Sequence, residues 1–145
     1  MKRIIIVAIL LVSVNFLSAQ ILNPLKSKDW DAIALLDYKA NGKGKMAPVY
    51  PPALKALHNK VVILPGYLIP IKASFTHSTF MLSVLPLEQC GFCGTGNLPV
   101  MIETFVTKAI PYSDKPIKVR GKLVLNLSEE QGKSEITLIN AQMVN

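Results

Sequence analysis

The chain is poor in the side chains from which catalytic and metal centres are most often assembled. It has two histidines, two cysteines, one tryptophan and nine acidic residues in 145 positions. Both cysteines sit in one Cys-x-x-Cys pair, Cys90 and Cys93, and no second pair exists to complete a four-thiolate zinc site. No ordering of serine, histidine and aspartate makes a nucleophilic triad. Ser78 follows His77 directly, and neighbours on a strand point to opposite faces. Gly94-Thr95-Gly96 lacks the lysine and the following helix that a phosphate loop requires. No βαβ pattern surrounds the cysteines, which counts against a thioredoxin-like fold. Aromatic residues make up 7% of the chain, too few for rows of base-stacking side chains, and nucleic acid is not an expected partner.

What is present begins with "MKRIIIVAILLVSVNFLSAQ". Lys2 and Arg3 precede an uninterrupted apolar run from Ile4 to Val12, and small residues follow. That is the order of a secretory signal. The run is short for a membrane-spanning helix. Residues 1–19 are therefore expected to be a signal peptide cleaved after Ala19, with an uncleaved N-terminal anchor as the alternative. A lipid anchor on cysteine is excluded, because no cysteine stands near the junction. The expected location is periplasmic or secreted. The formal charge is +7, and loss of Lys2 and Arg3 brings it near +5. The lysines are scattered, as on a solvated surface, and only 41–45 and 114–122 cluster.

Residues 26–40, "KSKDWDAIALLDYKA", read as one helix. Ser27 is its expected N-cap, Asp29 and Asp31 sit at the positive end of its dipole, and Trp30 is placed to dock it on the body. Residues 41–59 read as a connecting segment. Its "NGKGKMAPVYPP" portion has two glycines and three prolines that interrupt regular structure, and "ALKALHNK" makes a helical turn or two. His58 closes it and reads as a surface or capping histidine.

From residue 60 the texture is β. "KVVILPGYLIPIK" is β-branched, with glycine inside it. "THSTFMLSVLP" alternates, with Phe80, Leu82 and Val84 on one face and Thr79, Met81 and Ser83 on the other. "VMIETFVTKAI" places Ile102, Thr104 and Val106 on one side and Met101, Glu103 and Phe105 on the other; Glu103 reads as a surface residue. "IKVRGKLVLNL" and "SEITLINAQMV" complete five strands, the last with Ile136 and Leu138 buried. Long strands with glycines in mid-run coil readily, and closure removes exposed edges. The expected class is all-β with one N-terminal helix, and residues 60–145 form a small five-stranded OB-like barrel. An SH3-like barrel or a simple meander is the alternative.

"LHNKVVILPGYLIPI", "FMLSVLPLEQCGFCGTGNLPVMIE" and "IKVRGKLVLN", in that order, resemble the DUF3299 family of uncharacterised exported bacterial proteins. The matching positions are Leu57, Lys60, Val62, Gly66, Tyr67, Pro70, Ile71, Cys90, Val119, Gly121 and Leu123, and the segment around Trp30 resembles the family's tryptophan-bearing N-terminus. Two positions depart from the family pattern. Asn59 stands where glycine is usual, and Phe92 stands where many members have a histidine after the cysteine. The resemblance implies an association with transport or metal-handling systems of the envelope.

Three chemistries remain open at Cys90 and Cys93. Outside the cytosol, thiol pairs tend to oxidise, and a disulfide would fix the local turn. Two thiolates at this spacing can instead take Zn²⁺, with His58 as a further ligand candidate, or Cu⁺ with no histidine. A thiol–disulfide redox protein is the third. Glu88, Phe92 and Asn97 are the other candidate residues of the rim loop 88–99. The functional expectation is a binding or accessory protein, partnered by a membrane transport system or another envelope protein. A structural interaction module is the alternative, and no catalytic set can be read.

Overall fold

Burial alternates along much of five long strands, as it must when one face of a sheet is rolled into a core, although 66–69 are buried in a row. The computed structural model describes residues 23–42, 44–86, 99–128 and 132–144. The expected signal segment 1–19 lies outside them. Two short strands, β1 (Asp37–Ala40) and β2 (Met46–Val49), precede the five, with helices α1 (Lys28–Ile33) and α2 (Pro52–Lys55). The five are β3 (Val61–Pro70), β4 (Thr76–Ser83), β5 (Met101–Pro111), β6 (Ile117–Leu125) and β7 (Ile136–Val144).

These five close into a barrel in the order β3-β4-β5-β7-β6, with β6 returning to β3. The β5–β7 pair is parallel and the others antiparallel. A meander has only antiparallel neighbours, so the parallel closure sets this barrel apart from one. The chain is mostly β and forms a small OB-like barrel. Inside it Phe80, Leu82, Val119, Leu123 and Leu138 are fully buried. Side chains of this kind stabilise by about 1.5–3 kcal/mol each when taken out of water.

The inside–outside phase breaks where the strands bulge. Lys122 pairs with Ile139 and Arg120 with Gln142, so β7 carries one residue more than β6 across that interval. Asn140 absorbs the extra residue at φ 52°, a left-handed conformation that asparagine tolerates. Burial accordingly passes from Leu138 to Ala141. Gly121 faces this bulge: a Cβ there would stand 2.8 Å from Leu138 Cγ and 3.0 Å from Ala141 Cβ. Gly66 is different. It sits in unbroken register opposite Ile117, and a Cβ would meet Leu82 Cγ at 2.5 Å. Gly66 therefore serves close packing rather than a bulge. A second irregularity, between His77 and Thr79, turns His77 inward, against simple alternation.

The N-terminal arm differs from the single helix expected over 26–40. The helix ends at Ile33, and 37–40 is a strand. The cause lies in the next segment. Asn41 N–H donates to Lys45 O at 2.7 Å, Gly44 N–H donates to Asn41 O at 3.0 Å, and Lys45 N–H donates to the Asn41 side chain at 3.0 Å. This turn, with Gly44 at φ 72°, folds β1 onto β2, so part of the expected irregular connection is a hairpin. The helix start is as expected: Ser27 Oγ accepts Trp30 N–H at 3.1 Å. The Trp30 indole N–H donates to Pro65 O at 2.7 Å, fastening α1 to β3.

Candidate functional site

The strand register decides which side chains share the outer face of β4 and β5. Met81 lies opposite Glu103, Thr79 opposite Phe105, and Ser83 opposite Met101. Met81, Met101 and Glu103 are half-buried and Phe105 is exposed, whereas Ser83, expected on this outer face, is wholly buried. Three clefts in the surface share one residue, Glu103. The first has a volume of about 360 Å³, within the range of small-ligand sites. Its wall includes Tyr38, Met81, Met101, Glu103, Ser134 and Glu135.

Polar groups of that wall are tied to one another and to the N-terminal arm. The Ser134 hydroxyl donates to Glu103 Oε2 at 2.7 Å, tying β5 to the residues just before β7. Asn126 N–H donates to Glu135 O at 2.9 Å and pins the base of the β6–β7 connection. The Tyr50 hydroxyl lies 3.2 Å from Asn126 O and 3.4 Å from Glu135 O, so the N-terminal arm clamps the same point. Tyr38, carried by the β1–β2 hairpin, lines the cleft beside Glu135. Its phenol is pushed above the usual tyrosine range by partial burial first, and then by the charge and hydrogen bond of Glu135.

The first cleft thus offers two thioether side chains and other apolar groups as a floor, two carboxylates, and no cation among its described lining residues. In a chain of formal charge +7 this is a local inversion of sign. It suits a ligand that brings apolar groups and positive charge together. Lys133 lines the adjoining cleft, with Phe105 and Thr137.

The loop residues singled out from sequence, Glu88, Cys90, Phe92, Cys93 and Asn97, lie outside the described residues. The chain on either side of them is described. Val84 N–H donates to Val100 O at 3.2 Å, and Pro99 and Val100 line the first cleft. His58 is a structural acceptor: its Nδ1 takes the Leu125 N–H at 3.0 Å. His77 is buried at the other end of β4 from Ser83, and its Nε2 has no hydrogen-bond partner among the described residues. Among the described residues no three histidine, cysteine, aspartate or glutamate side chains stand close enough to hold a metal ion.

Strand alternation alone puts Glu103 on the outer face. It does not show that Tyr38, Ser134 and Glu135 converge there, because the hairpin that carries Tyr38 is the element the sequence reading lacked. Compared with protein-family models, curated proteins and solved structures, the chain matches none.

Proposed function

We propose that this protein is an exported binding module that holds an extended, basic and apolar polypeptide segment of an envelope partner on the outer face of β4 and β5. The observation that carries this reading is the convergence of three clefts on Glu103, with Tyr38 and Glu135 beside it. A closed barrel offers no free strand edge for a peptide to extend, so recognition falls to side chains. The apolar floor supplies contact area, and the carboxylates supply sign. Export rests on the N-terminal signal-like segment, and in an oxidising compartment Cys90 and Cys93 form a disulfide in this reading.

Kinship with the DUF3299 proteins belongs to the same proposal. Asn59 supports it, although it departs from the family's glycine. Its φ is 62°, a conformation glycine adopts freely and asparagine tolerates better than most other residues. The departure therefore keeps the backbone conformation that a glycine there would serve.

Calorimetric titration with two synthetic peptides of equal length tests the function. One alternates lysine and leucine, the other glutamate and leucine. Binding of the lysine peptide alone, weakened tenfold or more by Glu103→Lys, is the expected result. Equal binding of both peptides, or indifference to Glu103→Lys, overturns the reading.

A further inference from the structure

The end of the barrel away from the β4–β5 connection carries two loops, 71–75 and 112–116. They are joined where Tyr112 N–H donates to Phe75 O at 3.3 Å. The loops present an apolar tip. Phe75 is 95% exposed, Tyr112 49% and Ile71 48%. An almost fully exposed phenylalanine, held in place by its own backbone hydrogen bond, leaves a large apolar side chain in water and marks an interaction surface. Pro70 and Pro111 border the cleft between the loops.

Charge decides what would cover this tip. Lys72 is in the first loop, Lys115 in the second, Lys108 near the end of β5 and Lys118 at the start of β6, and all four are exposed. Asp114 is the one acidic residue in either loop. Aromatic and aliphatic groups at the summit, with a collar of lysines below, match the layering of a membrane interface. Apolar groups enter at headgroup depth, and ammonium groups stay with anionic headgroups. No described helix is long and apolar enough to cross a membrane.

We propose that this tip docks the protein on an anionic phospholipid surface, with Phe75, Tyr112 and Ile71 entering the interface and Lys72, Lys108, Lys115 and Lys118 facing the headgroups. The peptide-binding proposal does not depend on it, although the two surfaces adjoin: Ile71 and Lys72 also line the third cleft at Glu103.

Co-sedimentation with vesicles tests the proposal. The probes are vesicles of phosphatidylcholine alone and vesicles of phosphatidylcholine with phosphatidylglycerol. All variants keep the same N-terminal segment, so its contribution is common to them. The wild type is expected to sediment with the anionic vesicles preferentially, and salt should weaken binding. Phe75→Ser should reduce partitioning severalfold. Replacing Lys72 and Lys115 together by glutamate should reduce it by about fivefold or more for each cation removed. Phe75→Trp should shift its emission to the blue on anionic vesicles alone. These residues are exposed, and unchanged thermal unfolding shows that the variants fold. Equal partitioning of wild type and variants, equal binding to neutral vesicles, or no emission shift overturns the proposal. Self-association without vesicles, abolished by Phe75→Ser, would assign the tip to a second copy and also overturn it.

Discussion

Ser134 and Glu103 are joined by a hydroxyl-to-carboxylate hydrogen bond of 2.7 Å between residues 31 positions apart. It links β5 to the connection before β7 and holds one carboxylate at the meeting point of three clefts. Ser134→Ala frees that carboxylate. Affinity for the lysine–leucine peptide is expected to fall severalfold, with thermal stability lowered by about 1 kcal/mol or less. Titration calorimetry and thermal unfolding on the same variant measure the two effects separately.

Gly121 faces the β7 bulge with no room for a methyl group, since Leu138 and the backbone of Ala141 close the space. Gly121→Ala should destabilise by about 1–3 kcal/mol, as overpacking does in a filled core. Gly66→Ala should behave similarly, because its neighbour Leu82 is wholly buried. Urea unfolding checks both, and unchanged midpoints would show that the barrel is looser than described.

At Asn59 the left-handed backbone sets the order of substitutions. Asn59→Gly should be nearly neutral. Asn59→Ala should cost about 1 kcal/mol, since an L-residue with an ordinary Cβ resists this conformation. Thermal unfolding of the two variants side by side gives the ranking.

Tyr38 gives the stability curve an alkaline component. Its pKa is raised in the folded state, so the neutral phenol is favoured by folding. The stabilisation is fully present below the unfolded-state pKa of about 10, and it is lost as pH rises through the higher folded value. Tyr38→Phe should flatten the decline in stability above about pH 10. Denaturant unfolding across that range reads the difference.

The barrel was legible in the sequence and the site was not, for identifiable reasons. Period-two alternation over Phe80, Leu82 and Val84, and over Ile102 and Thr104, reports burial directly, because the core enforces it. Alternation fails at His77 and after Leu138, where bulges shift the phase and no local residue announces them. The hairpin was hidden differently. Asn41-Gly42 is turn chemistry, but its flanks lack the β-branched run that would mark strands. With the hairpin went Tyr38, and with Tyr38 the reason to bring Glu135 and Glu103 together.

The most direct test is a map of where the lysine–leucine peptide binds, by amide and methionine-methyl chemical-shift changes. Shifts concentrated on Tyr38, Met81, Met101, Glu103, Phe105 and Glu135, absent with the glutamate–leucine peptide, are the predicted result. Shifts centred elsewhere on the barrel, or none at all, would contradict the assignment of this face.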